Sequence, residues 1–164
     1  MTSPTDRIEK TAVLRAPLER VWSAISDTKQ FGAWFGVDFD GPFVAGGRLT
    51  GRIVPTTVDP DIAKMQEPYR GIEFDVLVDR VEPMHLLSFR WHPGEADPAM
   101  DYTAEPRTLV TFELEADGEG TRLTITESGF DALPLARRAE AFASNEGGWT
   151  AQLTLVDKYL TRNA

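Results

Sequence analysis

The chain of 164 residues has no cysteine. That removes disulfides, thiolate nucleophiles and cysteine metal ligands together. Histidine is almost missing as well. His85 and His92 are the only two, and their spacing matches no metal motif, so neither a metal nor any other cofactor is expected. Positive charge is scarce. There are 17 Lys and Arg against 26 Asp and Glu, a net charge of −9, with a pI near 4.7. Such a surface repels phosphate backbones and anionic headgroups, which disfavours nucleic acid and membrane-surface partners. Arg137-Arg138 is only a pair and offsets nothing locally. Long apolar runs are absent too: no stretch has the length and hydropathy of a bilayer span. Residues 1–10 lack the apolar centre of a signal peptide. The expected location is cytoplasmic.

Nucleotide and serine chemistry also lack their signals. Gly46-Gly47-Arg48 is followed by no Lys-Ser/Thr opening a helix, so it reads as a hairpin and not a phosphate loop. Ser128-Gly129 lacks the preceding glycine of a nucleophile elbow.

What is present fits one domain. Hydrophobic residues make up 41% and charged residues 26%, and a chain of about 150 residues buries roughly 68–70% of its unfolded surface. Residues 7–15 read as a strand. Pro17 then precedes a short helix with Val21, Trp22 and Ile25 on its apolar face, and Asp27-Thr28 break it. A second short helix over 29–35 carries Phe31, Trp34 and Phe35 and closes at Gly36. Short strands punctuated by Gly41-Pro42 and Gly46-Gly47 follow to residue 54. The segment 55–71, with three prolines, reads as a long loop with one helical turn. Loops of this length in compact domains are often lids, and Met65 and Tyr69 give this one something to bury.

Strands resume at 72–81. Leu87, Phe89 and Trp91 alternate with Ser88 and Arg90, giving one apolar face. A second, acidic loop over 95–106 contains Tyr102. Val110, Phe112 and Leu114 alternate in the next strand, Asp117-Gly118-Glu119-Gly120 makes a hairpin turn, and Leu123, Ile125 and Glu127 lie on the return strand. A final helix runs to about residue 160. No strand–helix–strand alternation supports a parallel sheet, so the expected class is α+β with an antiparallel sheet.

On that last helix Phe142, Glu146, Trp149, Leu153, Val156 and Leu160 follow at steps of four and three, which places them on one side. A carboxylate within an apolar stripe needs a polar partner or a wet cavity. Glu146 therefore either faces a cavity, as an acid, a base or an anchor for a ligand hydroxyl, or pairs with a sheet arginine such as Arg90 or Arg107. Gly147-Gly148 beside it weaken the helix, which suggests close approach to the sheet or a local bend.

Pro17 with Val21-Trp22-Ser23-Ala24-Ile25, then Trp34-Phe35-Gly36 and Gly46-Gly47-Arg48, resembles the START-like (SRPBCC) superfamily. The residues Thr124 to Phe130, then Gly148-Trp149, Leu153 and Tyr159-Leu160, are similar to its Aha-type branch, named after the activator of the heat-shock-protein ATPase. The resemblance spans nearly the whole chain. It implies a helix-grip fold, in which a bent antiparallel sheet wraps around a long C-terminal helix and two short helices follow the first strand. It also implies a hydrophobic cavity between helix and sheet for lipids, polyketides or other apolar molecules. Fold does not fix function in this superfamily. The co-chaperone that names the branch uses a further N-terminal domain, for which this length leaves no room, so no chaperone partner is expected.

The expected function is binding of a small, largely apolar ligand between helix and sheet. The residues expected to contact it are Trp34, Phe35, Met65, Tyr69, Trp91, Tyr102, Glu146, Trp149 and Leu153, with both long loops as gates. Two other classes remain open. One is a cyclase- or hydrolase-like enzyme using Glu146 or His92, although no catalytic constellation stands out. The other is a protein-interaction module, which requires a contiguous apolar patch outside.

Overall fold

A computed structural model describes residues 6–93 and 106–162. Tyr102 and nearly all of the acidic loop expected over 95–106 lie outside the described residues. Within them one sheet of seven antiparallel strands follows the spatial order β1-β7-β6-β5-β4-β3-β2. The strands are β1 (Arg7–Leu14), β2 (Val37–Phe39), β3 (Arg48–Ile53), β4 (Glu73–Glu82), β5 (Leu86–Trp91), β6 (Thr108–Asp117) and β7 (Gly120–Ser128). Two short helices, α1 (Leu18–Ser26) and α2 (Thr28–Phe35), follow the first strand, and the 28-residue α4 (Leu135–Arg162) ends the chain. At 1.5 Å per residue α4 is about 42 Å long, enough to cross the sheet. This is a helix-grip fold.

Local chemistry sets the joints. Asp27 ends α1 and caps α2, its carboxylate accepting from the Lys29 backbone N–H at 2.9 Å. Gly36 ends α2 in the left-handed region, at φ 97°, where an L side chain is strained. The concave face of the sheet alternates as expected: Leu87 and Phe89 on β5, Val110, Phe112 and Leu114 on β6, and Leu123 and Ile125 on β7 are all buried. Phe31 sits among Trp34, Phe35, Phe43 and Phe112, with ring centroids 4.8–5.8 Å apart. These offset and edge-on pairs join α2 to the sheet.

The segment 55–71 is more ordered than a loop with one turn. It holds α3 (Pro60–Gln66), then a 3₁₀ turn, Glu67–Tyr69. Asp59 caps α3, accepting from Asp61 N–H and Ile62 N–H at 2.9 and 3.1 Å, and Pro60 takes the first helical position, where its missing N–H costs nothing. No residue of α3 is buried.

The last helix corrects the stripe read from the sequence. Ala141, Trp149, Leu155, Val156 and Leu160 are buried, and Phe142 and Leu153 pack against the core. Five of the six stripe positions therefore face inward and Glu146 does not, while Asn145 and Gln152 reach a cavity. Glu146 lies about 100° around the helix from Asn145. It is exposed and stands 3.6 Å from Lys10 on β1. The sheet arginine anticipated as its partner is engaged elsewhere, with Arg107 3.1 Å from Asp75. Gly147 and Gly148 do not touch the sheet either, since a Cβ at either position would meet nothing.

Candidate functional site

The most unusual group in the concave face is Glu127. On β7 it continues the inward alternation of Thr121, Leu123 and Ile125, and like them it is fully buried. Desolvating a carboxylate costs several kcal/mol unless its oxygens find donors. Four side chains supply them. Trp149 Nε1 donates to Oε1 at 2.8 Å, and Trp91 Nε1 and Thr108 Oγ1 donate to Oε2 at 2.8 and 2.6 Å. Asn145 Nδ2 reaches both oxygens, at 2.9 and 3.1 Å. Register explains the convergence: Trp91 pairs with Thr108 across β5 and β6, and Val110, on the same face of β6, pairs with Glu127. Asn145 and Trp149, one turn apart on α4, come down from above. The indoles of Trp91 and Trp149 stack at 5.8 Å and 25°.

This knot forms the floor beside a cavity of about 210 Å³. Phe35, Ile53, Tyr69, Phe74 and Trp91 provide its apolar walls, and Gln66, His92, Asn145 and Gln152 its polar groups. Trp91 holds the wall together, with Phe74 at 6.1 Å and Phe35 at 6.2 Å. Among the described residues that line it, none is a carboxylate, lysine or arginine. The 55–71 segment closes one side. There Gln66 accepts from Thr56 N–H at 2.7 Å and donates to the Phe35 carbonyl at 3.1 Å. Gln152 of α4 donates to the same carbonyl oxygen, also at 3.1 Å. One backbone acceptor therefore ties the closing segment and the long helix together.

A second tie holds that segment. Lys158 Nζ of α4 lies 2.5 Å from Asp59 Oδ2. The Lys158 ammonium, with the Ile62 N–H, holds the Asp59 carboxyl below its ordinary range. Arg162 also donates to the Thr57 carbonyl at 2.7 Å.

The residues singled out from the sequence divide into groups. Phe35, Tyr69 and Trp91 line the cavity. Trp149 lies behind that lining, in the floor. Trp34 is completely buried in the core, its indole donating to the Ala24 carbonyl at 2.9 Å. Met65 corrects the expectation that it would be covered, because it projects from α3 and is 71% exposed. Leu153 borders a shallow depression with Ala12–Arg15 and Asp157, away from the cavity. Glu146 is not among the residues that line the cavity. His92 is buried at the cavity while His85 is exposed in its turn. Among the described residues no group of three or more acidic or histidine side chains could hold a metal ion. Glu127, Asn145, Gln152 and Gln66 were missed. For Glu127 the signal was available: a carboxylate in phase with the buried residues of its strand.

A bent antiparallel sheet gripped around a C-terminal helix, with two short helices after the first strand, defines a START-like protein. The chain belongs to the family described as Activator of Hsp90 ATPase homolog 1-like protein, which matches residues 15–161. No curated protein matches the sequence. Among solved structures it is similar to DynU16, a protein of the dynemicin biosynthetic locus, at 25% identity and a TM-score of 0.67 over 96% of this chain. The match covers 48% of DynU16, so this chain spans about half its length. It is also similar to BPP1335 from Bordetella parapertussis (26% identity, TM-score 0.63, 98% of this chain and 84% of that one). The fold is shared with MLL2253 from Mesorhizobium loti, at 24% identity and a TM-score of 0.70, covering 96% and 98% of the two chains. Among the described residues no helix is long and apolar enough to cross a membrane.

Proposed function

We propose that this protein binds a small, largely apolar molecule in the cavity beside the Glu127 knot. The supporting observation is the lining: among the described residues, five apolar or aromatic walls, four polar side chains and no carboxylate, lysine or arginine around about 210 Å³. Such sites suit uncharged guests held by shape and a few hydrogen bonds. Size narrows the guest. The volume is below the ~300–1,000 Å³ usual for drug-sized ligands, which favours a small guest such as a single substituted ring. The segment 55–71 is the gate, and the acidic, cysteine-free chain suits a cytoplasmic binder.

Native mass spectrometry of protein purified from its own host tests this reading, with Ile53→Phe as the comparison. Ile53 lines the cavity without touching the knot, so the larger ring fills the space and leaves the fold intact. The expected result is a retained small molecule in the wild type and none in Ile53→Phe. Equal retention by both proteins places the guest elsewhere.

A further inference from the structure

Resting on the cavity reading, we infer that the guest is a neutral aromatic molecule carrying a hydrogen-bond donor, a phenol- or indole-type ring, read by the amide oxygen of Gln152. Most polar atoms of the described lining are already committed. Gln66 spends its oxygen on Thr56 N–H and its nitrogen on the Phe35 carbonyl. The Phe35 carbonyl accepts from both Gln66 and Gln152, which fills its two lone-pair sites. Asn145 spends its nitrogen on the two oxygens of Glu127. Gln152 spends its nitrogen on Phe35, and its oxygen is buried with no hydrogen-bond partner among the described residues.

The amide orientations follow from these partners, since an amide oxygen turned toward a carboxylate or a carbonyl would place acceptor against acceptor. Gln152 and Asn145 therefore each turn an acceptor away from their fixed partner, and both line the cavity. They lie seven residues apart on one face of α4. A buried acceptor without a partner is costly, and a guest that donates relieves that cost. An ether or an ester carbonyl brings a further acceptor instead. The walls set the rest of the chemistry: Trp91, Phe35 and Phe74 present aromatic faces and edges, which favour a planar ring. Among the described lining residues no carboxylate balances a cation, and no lysine or arginine balances an anion.

Three probes of similar size separate the terms: phenol, anisole and toluene, each titrated by calorimetry and by ¹⁵N NMR of the side-chain amides. Toluene reports on the cavity alone, while the ratio of phenol to anisole reports on donation. The expected result is phenol binding about tenfold or more tighter than anisole and toluene, with the largest amide shift at Gln152. In Gln152→Met, of similar length but without the acceptor, the phenol preference falls to about twofold or less. Equal binding of the three by the wild type overturns the donor inference and leaves the cavity reading standing. Failure of all three to bind overturns both for aromatic guests. A phenol preference that survives unchanged in Gln152→Met assigns the donor to another acceptor and overturns the role of Gln152.

Discussion

The floor and the gate of the cavity are built on opposite principles. The floor is a single carboxylate, Glu127, buried without exposure and met by four side-chain donors from β5, β6 and α4. The gate is a short helix with no buried residue, held by Gln66 on one backbone carbonyl, by Asp59 on Lys158 and by Arg162 on the Thr57 carbonyl. Elements with few buried contacts open at lower free energy than core strands. Shape and closure are thus held separately: three core elements fix the wall of the cavity, and a handful of hydrogen bonds holds the segment that closes one side.

The largest effect is expected of Glu127→Gln, which strikes the floor. The replacement sets an N–H₂ group against one of the two indoles, which can only donate, so in either amide orientation one buried indole N–H loses its partner. The expected loss is about 2–4 kcal/mol of unfolding free energy, measured by urea denaturation. A change below about 0.5 kcal/mol would mean that the carboxylate does not hold the floor. Next in size is Gly36→Ala. A Cβ there occupies a left-handed backbone and comes within 2.7 Å of the Gln66 amide. The backbone strain costs about 1–2 kcal/mol, and the displaced Gln66 loosens the gate. Hydrogen exchange over residues 60–69 is expected to accelerate more than exchange in β6 and β7. Uniform acceleration would merge floor and gate into one cooperative unit.

The smallest effect concerns pH. The Asp59 carboxyl is held below its ordinary value near 3.8 by Lys158 and by the Ile62 N–H. Its folded-state value is thus depressed relative to the unfolded chain. The stabilisation is fully present above the unfolded value and is lost as pH falls through the folded one. The gate is therefore expected to stay latched at neutral pH and to loosen only below about pH 3.8. In Lys158→Ala, exchange over residues 60–69 at neutral pH rises a few-fold and its acid dependence flattens. Unchanged exchange in that variant would assign the closure to Gln66 and Arg162 alone.

Much of the fold was legible because its strands alternate cleanly and its turns carry Gly and Pro where the backbone needs them. The site was less legible, for two identifiable reasons. Trp149 lies three residues from Glu146 and four from Asn145, and both steps suit a helix face; hydropathy drew attention to the charged neighbour, whereas the amide faces inward. On β7 the alternation puts Glu127 in step with Leu123 and Ile125, but alternation alone does not say which donors meet a carboxylate there. Its partners come from two other strands and a helix, 18–36 residues away in sequence, separations that no local pattern encodes. The cavity depends in turn on Gln66, whose position follows from α3, a helix too short and too exposed to announce itself by periodicity.

The stacked pair of Trp91 and Trp149 has a spectroscopic consequence. Two indoles 5.8 Å apart and inclined by 25°, anchored by their N–H groups to the same carboxylate, form a chiral chromophore couplet. The protein thus carries its own optical gauge, whose near-ultraviolet circular dichroism registers any small twist of one ring against the other.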